Sequence, residues 1–428
     1  MVKINYGSKL LTLDIPIERI CFNLSPRKVN KADNSKAMVL YSVRNPIGSS
    51  PLLDIAKLAQ RVVIIADDNT RETPVQLIVP VLLDELNRGT IKDNQIKVII
   101  AGGSHRLMTE GEIKEKFGPE ILSRVQVVTH DYANKGKLLD FGITEKGTRI
   151  WINKEVAESD LRIGVGSILP HLPAGWAGGA KIILPGIAGK ESVDQLHLLG
   201  VSDPQIKLGK VETSFRKEIE EFAEKIGLHF IVNSIYDEDG DLVEVVAGHF
   251  RKGHRRGIEF ARTVYEVKCE EPADITISST YPVDYDFFQA DKGIFSAVLA
   301  TKPGGEVILV SPCHEGFSPS HEVQFSTMAG MESSQIIEEC KKGGVEDVMG
   351  ASEVVMINST KEKCDITVVT EGLKKDQVEK MGCRYVEPSS FQKYLKRKLK
   401  VKPDCKVGII HRSAQIFPRV VPKREVNV

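Results

Sequence analysis

Residues 61–74 read RVVIIADDNTRETP, and this stretch sets the grammar of the chain. The run from Arg61 to Ala66 is short enough for a strand, and apolar enough for one buried on both faces of a parallel sheet. Asp67-Asp68-Asn69-Thr70-Arg71 ends it in polar side chains, and Pro74 then supplies the fixed φ of a first helical turn. The same strand–loop–helix order recurs further along. IKVIIA at 96–101 leads into Gly102-Gly103-Ser104-His105-Arg106, a third strand is expected at 124–129, and LRIGVG at 161–166 runs into a glycine-rich segment. In open α/β sheets ligands bind in the crevice at the carboxyl ends of the strands. Each polar cluster stands just after a strand, so the clusters are expected to share one site.

The glycine-rich segment reads PHLPAGWAGGAKIILPG from Pro170 to Gly186. Glycine costs backbone entropy in helix and strand alike, and proline removes a donor, so a loop is expected whose backbone approaches something closely. Lys181 stands between Gly-Gly-Ala and Ile-Ile-Leu, where its amine is partly desolvated and therefore reactive. His171 precedes it by ten residues and His197 follows by sixteen. Taken singly, each histidine reads as a satisfied structural residue and the lysine as a solvated or anion-binding one. Together they read as a chemical constellation.

Outside these stretches, the first sixteen residues form a hairpin around Gly7, and a charged helix is expected over 212–227. A second hairpin surrounds Asp237-Glu238-Asp239-Gly240-Asp241. A basic helix spans 247–267, with His254, Arg255 and Arg256 on a solvated face. Glu270-Glu271-Pro272 reads as a linker, after which the alternation restarts. Strands are expected at 275–280, 304–310, near 353–357, at 366–369 and at 406–411, with a helix over 289–301. The pattern gives two α/β domains, the first over 1–270 and the second over 271–411, with a tail from about 412 to 428 returning to the first.

Composition narrows the function. At 428 residues, 41% hydrophobic and 27% charged, the chain has material for two cores. Lys plus Arg equals Asp plus Glu at 58 each, which argues against a nucleic-acid or membrane-surface partner. Seven scattered cysteines without a C-x-x-C pair fit a reducing compartment. Met1 to Gly7 lacks a signal-peptide core and no apolar run is long enough to span a bilayer, so a cytoplasmic protein is expected.

The remaining clusters each have two readings. Asp68 and Arg71 form either a cap with a surface ion pair, or a guanidinium fork for a substrate carboxylate with Asp68 orienting a neighbour. His105, in a glycine turn without dinucleotide spacing, either caps a helix or serves as an acid/base. Gln289 and Lys292, three apart on one helical face, either start a helix or grip one anion. Cys313-His314-Glu315 is a poor chelate and reads as loop lining the cleft.

On these residues the sequence resembles the nickel-dependent lactate racemase family over essentially its whole length. The resemblance rests on D-x-T-R (Asp68 to Arg71), G-x-H-R (Gly103 to Arg106), the glycine-rich block with His171, Lys181 and His197, and the Gln289…Lys292 pair. It implies two Rossmann-like α/β domains with the active site in the cleft between them. It also implies a nickel-pincer nucleotide, a pyridinium-3-thioamide-5-thiocarboxylic acid mononucleotide carrying Ni(II). Lys181 would tether it covalently, Gly178, Gly179, Gln289 and Lys292 would line it, and His197 would bind the metal. His105 and His171 would be the acid/base pair. Arg71, Lys292 and Asp68 would serve the substrate.

The implied reaction is racemisation or C2-epimerisation of a small 2-hydroxy acid by reversible hydride transfer through a 2-keto acid. The implied partners are that acid and, transiently, the cofactor-synthesis enzymes. Three departures bear on the substrate: Trp176-Ala177 stands where lactate-specific members carry phenylalanine and serine, Glu72 where proline is common, and no tryptophan falls in the second half. Trp176 is therefore the expected substrate-discriminating residue. Two other classes compete. A nicotinamide- or zinc-dependent α/β enzyme acting on a small carboxylate finds no dinucleotide fingerprint or zinc spacing here. A non-catalytic small-anion binder leaves two histidines and a lysine without a task.

Overall fold

Two six-stranded sheets, each built around a reversal of strand order, carry the architecture. The computed structural model describes residues 1–29 and 34–422. In the first sheet the spatial order is Leu242–Gly248, Phe230–Tyr236, Leu161–Ser167, Val62–Asp67, Ile96–Ala101, Gln126–Thr129. All neighbours are parallel except the antiparallel edge strand Leu242–Gly248. From Val62–Asp67 the chain first builds toward one edge, then returns to lay Leu161–Ser167 on the opposite side. The crevice between these two strands is the topological switch point, where loops diverge and leave room for a ligand.

The second sheet repeats the design in parallel strands, ordered Arg384–Val386, Asp365–Val369, Thr301–Val310, Ala273–Ser279, Val407–Ile410, Ile20–Leu24. Its switch point lies between Ala273–Ser279 and Val407–Ile410. Valine and isoleucine dominate the central strands of both sheets, and these residues are almost wholly buried, as sheets covered by helices on both faces require.

Three expectations change. The amino terminus belongs with the second sheet, not with a 1–270 unit: Ile20–Leu24 pairs with Val407–Ile410, and Ile4, Tyr6 and Leu13 of the 2–13 hairpin join the core beneath it. Residues near 353–357 are not a strand but the middle of helix Val348–Lys361. The run EVVMI is apolar without alternation, so it suits a buried helix as well as a buried strand. The 247–267 helix, Lys252–Tyr265, is not simply solvated on its basic face, since His254 is wholly buried.

The carboxyl-terminal segment runs back along the domain boundary: Phe417–Val420 pairs with Glu266–Cys269, and Phe417 packs edge-on against Trp176. Residues 423–428 of the expected tail lie outside the described residues. Among the described residues no helix is long and apolar enough to cross a membrane.

Candidate active site

The loops after four strands meet in one cavity between the two sheets' carboxyl edges. Asp67 to Arg71 follow Val62–Asp67, Gly102 to His105 follow Ile96–Ala101, and Ser167 to His171 follow Leu161–Ser167. The second domain adds Phe288, Asp291 and Lys292 beyond Ala273–Ser279, with Met349 and Glu353 from helix Val348–Lys361. Of the residues singled out in the sequence, Asp68, Arg71, His105, His171, Gly178, Lys181, His197 and Lys292 all line this space.

His105 is held by a buried carboxylate. Asp68 Oδ2 lies 2.7 Å from its Nδ1, and Asp68 Oδ1 accepts from the Thr70 hydroxyl at 2.6 Å and the Thr70 N–H at 3.1 Å. Burial alone would push the Asp68 carboxyl up, but His105, Thr70 and Arg71 reverse this and hold it well below the carboxylate range. An ionised Asp68 must accept, so Nδ1 carries the proton and Nε2 keeps its lone pair, toward which the Gln289 amide points at 3.3 Å. Burial lowers the His105 pKa against the pull of Asp68, leaving the ring neutral at pH 7.

His171 stands on a short hairpin, paired with Gly175, and its buried Nδ1 has no hydrogen-bond partner. Burial, reinforced by Lys181 and Arg71, pushes its pKa well down. His197 projects from helix Lys190–Ser202 and donates Nδ1–H to the Val193 carbonyl at 2.7 Å, which leaves Nε2 free to bind a metal. Burial is the main reason its pKa falls to about 4.

Lys181 sits in the turn Gly179–Ile182, and burial together with the charges of Arg71 and Lys292 lowers its amine to about 7. Lys292 is lowered to about 8 by burial and by Arg71. It donates to Gln289 Oε1, which also receives Arg71 Nη1 at 3.4 Å. Gln289 thus spaces two cations and a histidine from the margin of the cavity rather than lining it.

Besides that of Gln289, two sequence-based assignments change. Trp176 does not reach the cavity: its indole is fully buried, its Nε1 donates to the Gly209 carbonyl at 3.0 Å, and the Arg262 guanidinium lies 5.5 Å over its ring. It anchors the loop instead of reading substrate. Gly179 is also absent from the lining. With φ +62° its N–H donates to Asn233 Oδ1 at 2.8 Å, and a Cβ there would come within 2.8 Å of the His254 ring. Its hydrogen atom is needed for packing, not for clearance around a ligand.

Other contributors carry no local sequence signal. Arg216, on the helix Ser214–Ile226, is fully buried and donates to the carbonyls of Ala174, Trp176 and Gly178, fixing the glycine-rich loop from below. His254 donates Nε2–H to the Ala177 carbonyl at 2.8 Å. Asp291 and Glu353 are buried carboxyls whose pKa values are raised, chiefly by burial. Among the described residues the acidic group able to gather around a cation, Asp237, Asp239 and Asp241, belongs to a surface turn and does not line this cavity.

Known proteins place the same features in context. Residues 6–209 match the lactate racemase N-terminal domain and residues 268–417 the lactate racemase C-terminal domain. The chain is 35% identical over 323 residues to a lactate racemase of Thermoanaerobacterium thermosaccharolyticum, covering 74% of this chain and 75% of that one. It is 32% identical over 322 residues to a lactate racemase of Lactiplantibacillus plantarum, with the same coverage of each. The solved lactate racemase apoprotein from T. thermosaccharolyticum superposes with a TM-score of 0.85 at 29% identity, over 98% of this chain and 99% of that one. A Thermotoga maritima protein shares the fold with a TM-score of 0.73 at 20% identity, over 92% of this chain and all of the other.

Proposed function

The chain belongs to the lactate racemase family and is an isomerase, and from that premise we propose that it inverts C2 of a small 2-hydroxy acid with the help of a nickel-pincer nucleotide. The observation that carries this reading is the gathering of His105, His171, Lys181 and His197, from four separate segments, around one cavity with two cations. When bound, the cofactor supplies a hydride acceptor that spares the substrate a carbanion beside its carboxylate.

The chain's own residues supply the rest. Arg71 and Lys292, one from each domain, hold the substrate carboxylate. His105 Nε2, kept unprotonated by the Asp68 contact at Nδ1, accepts the hydroxyl proton on one face. His171 serves the other face, because inversion requires a proton-transfer group on each side of a planar keto acid. Two groups fit the cofactor itself: the Lys181 amine, lowered to about 7, is a nucleophile for acylation, and His197 offers Nε2 as a neutral imidazole ligand.

The test is production of the protein with and without the cofactor-synthesis enzymes, followed by intact mass and nickel analysis. A mass increase with bound nickel is expected for the native chain and none for Lys181→Ala. An adduct retained by Lys181→Ala would remove the tether from this lysine.

A further inference from the structure

Behind the catalytic groups lies a side pocket that the reaction as described does not use. It shares Arg71, His171 and Lys292 with the main cavity, and then extends to Leu169, Val283, Tyr236 and Ala414. Its walls therefore come from both switch points: Leu169 and Tyr236 from the first sheet, Val283 and Ala414 from the second. A substrate whose carboxylate lies between Arg71 and Lys292 and whose hydroxyl faces a histidine has one substituent left on C2. This pocket adjoins the same three side chains and is where that substituent fits.

The polar chemistry of the pocket is unequal. Glu72 Oε2 accepts from Arg412 Nη2 and from Gln415 Nε2, each at 2.5 Å, and Arg412 Nε donates to Gln415 Oε1 at 2.9 Å. These contacts tie the three side chains to one another. Tyr236 differs: it is 1% exposed and its hydroxyl is buried without a hydrogen-bond partner. A buried unpaired hydroxyl carries a desolvation penalty and is retained where a ligand completes it. Lactate's methyl group has nothing to offer it.

Resting on the racemase reading above, we propose that the Tyr236 hydroxyl pairs with a hydroxyl on C3 of the substrate, so that the enzyme prefers 2,3-dihydroxy acids to lactate. The partner is a neutral hydroxyl and not a second carboxylate, because Arg412 is already matched to Glu72. A further anion would be buried beside the Glu72 carboxylate with no free cation of its own.

The experiment measures C2 inversion by the cofactor-loaded enzyme on lactate, 2-hydroxybutanoate, 2,3-dihydroxypropanoate and malate. 2-Hydroxybutanoate and 2,3-dihydroxypropanoate differ only in CH₃ against OH, so their ratio isolates the proposed contact. The expected kcat/KM favours 2,3-dihydroxypropanoate over 2-hydroxybutanoate by at least about tenfold, and Tyr236→Phe brings that ratio close to one. Tyr236→Phe is also expected to melt no lower than the native protein, since it deletes an unpaired buried group. A native ratio near one, a ratio unchanged in Tyr236→Phe, a preference for malate, or a lowered melting temperature would each overturn the proposal while leaving the racemase reading intact. Failure of the nickel-loaded, covalently modified enzyme to invert any of the four acids would overturn both.

Discussion

Asp68 does two things to His105 at once: it fixes which nitrogen carries the proton and supplies a negative charge 2.7 Å from it. Asp68→Asn keeps the shape and removes both effects, so kcat for inversion is expected to fall by at least about 100-fold, with cofactor loading by intact mass as the control. Lys181 gives a second expectation. Its amine, lowered to about 7 chiefly by burial, is half neutral near that pH in the cofactor-free protein. An amine-reactive reagent followed by peptide mapping should label it half-maximally near pH 7, about three units below an ordinary lysine.

Lys292 sets the alkaline limit. Its ammonium is present below about 8 and lost above, so an anion held by Arg71 and Lys292 binds progressively less well as pH rises. Log kcat/KM should fall with a slope approaching −1 above that value, while the low pKa of His105 keeps the acid limb below 6.5. A flat alkaline limb would take Lys292 out of substrate binding. Asp68 and His105 could be singled out because each stands in a polar cluster just after a strand, whereas Lys181 and Lys292 sit in a turn and a helix start farther along their loops. Trp176 was misread because bulk in a loop does not reveal which side of the loop it fills.

The glycine-rich loop is the element on which the site depends, and it is held by groups distant in sequence. Arg216 binds its carbonyls, His254 binds Ala177, and Asn233 binds the Gly179 N–H. Gly179→Ala puts a Cβ into the His254 ring at a φ of +62°, and should cost about 1–2 kcal/mol, read as a lower denaturant midpoint. An unchanged midpoint would mean that the loop gives way freely. The strands and the loop itself were legible, since β-branched runs and glycine–proline punctuation are local signals. Its supports were not: Arg216 and His254 look like solvent-facing charges on amphipathic helices, and only tertiary packing turns them inward. The helix at 348–361 escaped for a related reason, because a fully buried segment has no polar face to betray its period.

At the scale of the whole molecule, the proposed grip on the substrate carboxylate requires the two switch points to face each other, since Arg71 comes from one domain and Lys292 from the other. Besides the Gln289 contacts to Arg71 and His105, further polar ties cross this boundary. Arg106 meets Glu315 through two contacts of 3.0 Å, Glu72 meets Arg412, and the Ser104 hydroxyl lies 3.3 Å from His321 Nε2. The Arg106–Glu315 pair is the most open to test, because neither residue lines the main cavity and both are about a quarter to a third exposed. At that exposure, solvent and salt screen the attraction, and the pair's coupling should be only about 1 kcal/mol in a double-mutant cycle.

If the two domains separate to admit substrate, that small coupling favours the closed form. A substrate that bridges both domains binds only the closed form, so a larger open population raises KM in proportion and leaves kcat, measured on the closed complex, nearly unchanged. Glu315→Gln should therefore raise KM several-fold, and 0.5 M salt, which also screens the substrate's own charge, should raise the native KM by a larger factor than that of the variant. Arg106→Ala should raise it further, since Arg106 also holds Glu112. If Glu315→Gln lowers kcat and leaves KM alone, the pair supports the catalytic geometry directly and the domains do not open around it.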